Sequence, residues 1–581
     1  MPSWLTAMAV NTKLGDMAIL NFKGKPFVQN YHLSVKYHEL IPRKSKSLTD
    51  KVRLTDNLII HGDNLKALKA LLPTYAGKVK CIYIDPPYNT GNEKWVYNDN
   101  VNSPMMQEWL GKVVDREDLT RHDKWLCMMM PRLKLSRELL SNDGVIFISI
   151  DVNELKNLLC LCDEVFNEVN RFGVIVIQNN PRGRRLGTEL AVEHEYLVAY
   201  TKEISKFKAG RLELTDEQLA EYSELDENEK RYRLLGLRKR GALARRQDRP
   251  NLHFPLFVDP KTGGVYLEDQ KGHIKVIPKL SDGSEGVWRW SKGKIEKEGS
   301  FLIAKVVRRR ETQQEEWEVC QRDYSAEENG DSKGRLFPSI WQGSEFNNET
   351  GRDQIKDLFG KTVFDYPKPV DLVKHVILLS GDKNAIVLDS FSGSGTTGQA
   401  VIELNRSDGG KRKLILVESE DYAETVTAER VKRVIKNSAG DAKKKSQSLP
   451  LDRGETFSFF ELGRAIELER ILDGKHLPAY EDLARYLFYT ATGEEFDEKQ
   501  VDEKKGFIGE SREREVYLFY QPDIEFLKRT ALTLDRAKGL GKYNGKRRLI
   551  FAPTKFMDQD MLDEMRIDFA QLPFEIYKFA D

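Results

Sequence analysis

Residues 81–92 read Cys-Ile-Tyr-Ile-Asp-Pro-Pro-Tyr-Asn-Thr-Gly-Asn. Cys81 to Ile84 are a short apolar run, the pattern of a fully buried strand. Asp85-Pro86-Pro87-Tyr88 then ends it, because neither proline offers a backbone N–H to a ladder. The same prolines stiffen the loop and so fix where an acid and an aromatic ring point. Such a set suits a planar, amine-bearing ring. Asp85 and the Pro86 carbonyl accept its two N–H bonds, and Tyr88 stacks on its face. The plain alternative is a strand-ending loop with an exposed Asp, and the flanking sequence weighs against it.

Upstream, Leu58-Ile59-Ile60 reads as a second buried strand ending at His61-Gly62-Asp63-Asn64. Leu65, Leu68, Leu71 and Leu72 follow at helical spacing, with Asp63 or Asn64 as the cap. Strand, helix and strand make a βαβ unit, and open α/β sheets place their sites at the carboxyl ends of strands. Downstream, residues 104–141 read as helical, with an apolar stripe through Trp125, Leu126, Met129, Leu133 and Leu139. Asn142-Asp143-Gly144 predicts a turn into a buried strand, Val145–Ile150, that ends at Asp151. Further strands are expected at Phe172–Gln178 and Glu193–Tyr200.

The texture changes between about 205 and 335. Residues 211–229 read as an acidic helix, and Lys230 to Arg249 carry nine Lys/Arg against one acid, Asp248. Short strands and turns follow, as in an inserted α+β module. Over the whole chain 92 Lys plus Arg oppose 91 Asp plus Glu, so any pull on a polyanion comes from a local patch. Arg238, Lys239, Arg240, Arg245 and Arg246, with Trp288, Trp290 and Arg308-Arg309-Arg310, predict DNA-backbone contact in preference to a solvated helix face.

Ala385–Asp389 is another buried strand, and Phe391-Ser392-Gly393-Ser394-Gly395-Thr396-Thr397-Gly398 opens a helix. Gly393, Gly395 and Gly398 fit the G-x-G-x-x-G pattern, which dinucleotide sites share. Asp389 and Phe391 beside the turn favour a nucleoside with a charged amino-acid tail over a pyrophosphate. Glu418 ends the next strand, about two dozen residues on, where an acid holds both ribose hydroxyls. Lys436 to Pro450 reads as a linker. Beyond it, helices are expected near Glu461–Leu472, Tyr480–Tyr489, Leu534–Leu540 and Gln559–Glu564. Strands are expected at Glu515–Tyr520, Arg548–Ala552 and Glu575–Phe579.

The five cysteines, odd in number and set in apolar runs, read as reduced hydrophobes, not as disulfides or a zinc set. No apolar run approaches the ~18 residues of a membrane span, and no basic-then-apolar leader opens the chain. A cytoplasmic protein without membrane contact is expected.

Together, Asp85-Pro86-Pro87-Tyr88 and Phe391-Ser392-Gly393-Ser394-Gly395 resemble the amino-methyltransferase family of DNA-modifying enzymes. The acid at the head of the tetrad is like the adenine-N6 subgroup; the cytosine-N4 subgroup usually carries Ser. The tetrad precedes the glycine loop by about 300 residues, similar to the β-class order. Gly62-Asp63-Asn64-Leu65, Lys368-Pro369, His194-Glu195-Tyr196 and Glu418 fall where that family keeps its other blocks. Asn89-Thr90-Gly91-Asn92 and the C-terminal domain are similar to Mod subunits of type III restriction–modification systems.

The resemblance implies an α/β fold: a Rossmann-like S-adenosylmethionine-dependent methyltransferase domain, an inserted α+β target-recognition domain and a small C-terminal α/β domain. The expected boundaries are an arm at 1–50, the catalytic half at 51–204, the insert at 205–335, the cofactor half at 336–436, a linker at 437–454 and the last domain at 455–581. It implies catalysis by Asp85, Pro86, Pro87 and Tyr88. It implies cofactor binding by Asp63, Lys368, Asp389, Phe391, Gly393, Gly395, Thr396 and Glu418, with Lys368 by the methionine tail and no metal. Expected partners are double-stranded DNA, a second copy in a homodimer and a Res-type helicase/nuclease subunit. The alternatives are a free-standing DNA adenine methyltransferase without a nuclease, or an RNA or protein methyltransferase.

Overall fold

The computed structural model describes residues 20–90, 121–185, 190–308, 315–326, 334–441, 455–466 and 477–572. It divides into two compact units, Met1–Gly210 with Pro338–Asp581, and Arg211–Phe337.

Among the described residues of the larger unit, ten strands share one sheet. In chain order they are β1 (His38–Pro42), β2 (Asn57–His61), β3 (Val79–Ile84), β4 (Leu140–Ile150), β5 (Arg171–Gln178), β6 (His194–Thr201), β7 (Ile340–Trp341), β8 (Ile386–Asp389), β9 (Lys413–Glu418) and β10 (Phe457–Ala465). Their order across the sheet is β1-β10-β2-β9-β8-β3-β4-β6-β5-β7. The run from β10 to β4 is parallel, while β6 pairs antiparallel with both β4 and β5. Every residue of β3 is buried. That two-sided burial is why Cys81–Ile84 is an apolar run with no polar alternation, at about 1.5–3 kcal/mol per large side chain, while the buried Lys80 before it is paired with Asp143 at 2.8 Å.

The register places the site. Val387 stands opposite Cys81 and Leu388 opposite Ile82. Glu418 stands opposite His61. Asp63, Asp85, Asp389 and Glu418 therefore emerge at one edge, the carboxyl ends of four neighbouring parallel strands. Helices α1 (Asn64–Tyr75), α2 (Arg121–Leu139), α3 (Leu155–Phe166), α4 (Val370–Leu379), α5 (Thr396–Asp408) and α6 (Glu429–Asp441) belong to the same unit.

Several expectations change. Phe457–Ala465 is a strand inside the large sheet, where a helix from Glu461 was expected; residues 467–472 lie outside the described residues. Its alternate Phe457, Phe459 and Glu461 pair with β2, which overrides the helix-favouring Glu and Leu content. The expected last domain, 455–581, therefore gives its first strand to the large sheet, and the start of the expected linker, 437–441, is the end of α6. The Asn142-Asp143-Gly144 turn becomes a bulge within β4, across which pairing steps from Val79–Leu140 to Cys81–Val145. The C-terminal part carries its own sheet, Phe507–Glu510, Arg514–Leu518, Arg547–Ala552 and Ile567–Gln571. The expected helix at 104–120, the strand at 575–579, Arg309 and Arg310 lie outside the described residues.

In the smaller unit the acidic stretch 211–229 is helical only at Asp216–Ala220, closed by a capping box between Thr215 and Gln218. The basic run opens as a strand, Arg231–Gly236, between Glu315–Tyr324 and Glu224–Leu225. Trp288 and Trp290 are core residues, 2% and 5% exposed, packed with Phe254, Leu256 and Ile295. The Trp288 indole N–H donates to the Phe254 carbonyl at 2.8 Å. Both rings are spent on the fold of this unit, which corrects their expected role as DNA contacts. Among the described residues no helix is long and apolar enough to cross a membrane.

Candidate active site

The Asp85–Tyr88 loop leaves β3 at the sheet's carboxyl edge. The buried Trp125 on α2 donates its indole N–H to the Pro87 carbonyl at 2.7 Å, which pins the second proline. Lys368 reaches this loop. Its ammonium donates to the Tyr88 hydroxyl and to Glu195 Oε1, each at 2.6 Å, and stands 3.4 Å from Asp85 Oδ1. Glu195, 3% exposed, also accepts from the Tyr88 hydroxyl at 3.2 Å and from Asn179 at 2.8 Å. Asp85 Oδ1 is a buried acceptor that takes no well-aligned hydrogen bond and has the Lys368 ammonium as its ion-pair partner.

Burial raises the Asp85 pKa, and the Lys368 charge offsets part of that. Burial opposes the Lys368 charge in turn, but Asp85 and Glu195 outweigh it and hold the ammonium above its ordinary range. Two carboxyl groups thus face one ammonium. Lys368 was expected by a methionine tail; its ammonium sits within the tetrad, and its carbonyl accepts from the Thr396 hydroxyl at 3.2 Å. One residue thus links the catalytic loop to the glycine loop.

The second half hangs between β8 and β9. Gly393 and Gly395 adopt φ of 51° and 79°, the left-handed region. Glu418 Oε2 accepts from the Gly393 amide at 2.7 Å and Oε1 from the Glu420 amide at 3.0 Å. Asp389 accepts from the Phe391 amide at 3.0 Å and from the Thr397 hydroxyl at 2.5 Å. Phe391 is partly buried against the main core. Asp63 caps α1 through the Lys66 amide at 3.0 Å and faces Arg132 at 3.7 Å. The loop also rests on Arg430, which is fully buried. Its Nη1 donates to the Ser394 and Thr396 hydroxyls, each at 2.8 Å, and burial lowers its pKa to about 9. Glu195 was legible only through the His194-Glu195-Tyr196 resemblance. Nothing local in the sequence marks Arg430, because its importance comes from where α6 packs.

Burial pushes Glu418 up to about 7, against the pull of the Glu420 and Gly393 amides. Burial likewise pushes Asp389 up to about 7, against the Thr397 hydroxyl and the Phe391 amide. Both folded values exceed the unfolded ones, so the fold retains protons that the unfolded chain releases between about pH 4 and 7. The associated stability is complete below that window and is lost as pH rises through about 7. The slope is at most ~1.4 kcal/mol per pH unit for each carboxyl. Melting temperatures of the parent and Asp389→Asn across about pH 5 to 8 check this. The variant's profile is expected to be flatter, and parallel profiles would refute the assignment.

An acid–aromatic loop and a glycine turn thus leave adjacent parallel strands of an α/β sheet at the same edge. The chain belongs to the DNA methylase family of N6 and N4 enzymes, whose model matches residues 79–429. It is 35% identical over 366 residues to the type II methyltransferase M.KpnI of Klebsiella pneumoniae, covering 63% of this chain and 81% of that protein. It is 32% identical over 417 residues to the type III restriction-modification enzyme EcoPI Mod subunit of Escherichia phage P1, covering 69% of this chain and 63% of that subunit. The StyLTI Mod subunit of Salmonella typhimurium is 31% identical over 417 residues, covering 68% of this chain and 57% of that subunit. The chain thus spans about 63% and 57% of the two Mod subunits it matches.

Proposed function

We propose that this chain is a site-specific DNA methyltransferase. It moves a methyl group from S-adenosylmethionine to adenine N6 in duplex DNA, as the modification and specificity subunit of a type III restriction–modification system. The observation that carries the reading is the buried Oδ1 of Asp85, ion-paired with Lys368 at 3.4 Å yet not saturated with hydrogen bonds, held beside Tyr88 and one strand from the glycine loop. A carboxylate oxygen with a lone pair to spare suits an incoming N–H.

The residues fit the cofactor. Gly395 lets the backbone close on Thr427, since a Cβ there would meet the Thr427 carbonyl oxygen at 3.0 Å. Each Glu418 oxygen takes one amide, which leaves a further lone pair on each for a ribose hydroxyl. S-adenosylmethionine supplies an electrophilic methyl carbon when bound.

N6 is a poor nucleophile because its lone pair is delocalised into the ring. Asp85 and the Pro86 carbonyl accept hydrogen bonds from its two N–H groups, favour a more pyramidal nitrogen and aim the lone pair. Tyr88 stacks on the flipped base and offsets part of the few kcal/mol that flipping costs. Lys368 and Glu195 hold the Tyr88 hydroxyl. The relatives named as type III restriction-modification Mod subunits support the restriction–modification setting; adenine N6, duplex DNA, a separate Res-type partner and a homodimer belong to the same proposed reading.

Labelled-methyl transfer to unmethylated DNA, followed by nucleoside mass spectrometry, tests the target. N6-methyladenine is expected; N4-methylcytosine, or label entering only RNA, would overturn it. Residues 211–337 are proposed to read the sequence, with Arg238, Lys239, Arg240 and Arg245 on phosphates. Arg246 is a weaker candidate because Glu285 pairs with it at 2.9 Å. Exchanging this unit for a relative's is expected to move methylation to the relative's site, and an unchanged site would count against it.

A further inference from the structure

Outside the tetrad lies a carboxylate that the mechanism above does not use. Glu154, just before α3, is fully buried, and among the described residues its ion-pair partner is His122, with no Lys or Arg within ion-pair distance. Three side chains from three segments donate to it. Asn89 Nδ2 reaches Oε1 at 2.5 Å and His122 Nδ1 reaches the same oxygen at 2.6 Å. Asn157 Nδ2 reaches Oε2 at 2.7 Å. A buried charge is costly unless fully hydrogen-bonded, so the site is one where geometry has been favoured over plain apolar packing.

What that geometry holds is the residue after the tetrad. Asn89 is 1% exposed and has φ of 55°, left-handed and unusual for a residue with a side chain. Such a conformation costs on the order of 1 kcal/mol and persists only where its surroundings over-determine it. Here Glu154 and the Arg121 carbonyl, at 3.2 Å, both take the Asn89 amide. The loop is therefore held at three points. Trp125 grips Pro87, Lys368 and Glu195 grip the Tyr88 hydroxyl, and Glu154 grips Asn89. Only the last fixes the backbone direction in which the chain leaves Tyr88.

We propose that Glu154 is a positioning residue for methyl transfer, acting through Asn89 to set the Asp85–Tyr88 loop without touching base or cofactor. The inference rests on reading Asp85–Tyr88 as the catalytic loop.

The test uses the full chain and unmethylated DNA under single-turnover conditions at saturating S-adenosylmethionine. Glu154→Ala and Asn89→Ala are each expected to slow methyl transfer by about 10- to 100-fold, with cofactor affinity by calorimetry within about twofold. The double variant is expected to be no slower than the worse single one, because both remove the same contact. Glu154→Gln keeps an acceptor and is expected to recover most of the rate. Backbone hydrogen exchange is expected to quicken in residues 85–90 and to stay unchanged in 386–398. A Glu154→Ala rate equal to the parent's, multiplying effects in the double variant, or cofactor affinity falling in step with rate would each overturn the proposal. Should Glu154→Ala not fold, Asn89→Ala carries the test, and a parent-like rate there overturns it equally. Asp85→Ala run alongside separates the two readings: an active Asp85→Ala removes the catalytic loop itself, whereas an inactive one beside a fully active Glu154→Ala removes only the positioning role.

Discussion

Asp85→Ala is expected to abolish methyl transfer, by at least about a thousandfold, while S-adenosylmethionine affinity stays within about threefold. In the proposed mechanism the carboxylate accepts from N6, and it leaves the sheet two strands away from Glu418, the proposed ribose ligand. Without it the amine keeps its lone pair in the ring and loses its aim at the methyl carbon. The fold should not suffer. Burial disfavours the charged form of Asp85, and Lys368 keeps two strong partners in Glu195 and Tyr88. An equal or slightly higher melting temperature is therefore expected. Asp85→Asn retains a carbonyl acceptor and should keep a small residual rate. Labelled-methyl incorporation, with calorimetry for the cofactor, measures both quantities. Parent-like incorporation by Asp85→Ala would remove Asp85 from the mechanism.

Gly395→Ala is expected to cut cofactor affinity by at least about tenfold, and transfer at limiting cofactor with it. Two costs combine. The left-handed φ of 79° costs a residue with a Cβ about 1–2 kcal/mol. The added Cβ would also lie 3.0 Å from the Thr427 carbonyl oxygen and 3.3 Å from its Cα, and backbone cannot move aside cheaply. The loop must shift, and it carries the Gly393 amide that holds Glu418. Gly409→Ala is the internal control. It has a similar φ, 73°, but nothing within 4 Å of the new Cβ, and it caps the far end of α5. A comparable loss of stability with unchanged cofactor affinity is expected there. Equal affinity losses in both variants would show that strain alone, and not the cradle, is being read.

The site was legible in the sequence wherever a local rule sufficed. A buried strand announces itself by an unbroken apolar run, and in a parallel sheet its carboxyl end is where a site lies. That rule alone picks out Asp85, Asp389 and Glu418 at their strand ends. The glycines at 393 and 395 were legible for a similar reason, because a tight turn between strand and helix needs positive φ. The insert was visible as a change in charge and period near residue 205.

The remainder was decided by packing between residues far apart in the chain. Glu461 onward looks helical by content, but it continues the strand that begins at Phe457, where pairing along the edge of β2 outweighed propensity. Trp288 and Trp290 sit near a basic run in sequence, yet their large apolar rings close the core of the smaller unit. Lys368 has a side chain long enough for several targets, and only the approach of β3 turns it toward Asp85 and Glu195. Glu154 and Asn89 carry no local mark at all, since a buried carboxylate acquires meaning from the donors that converge on it. By itself the sequence determined the chemistry on offer: an acid–aromatic loop, a glycine turn and a terminal acid, each set by the backbone geometry of a few neighbouring residues. Tertiary structure alone decided which side chains share an electric field and hold that loop still, because those contacts join segments tens to hundreds of residues apart.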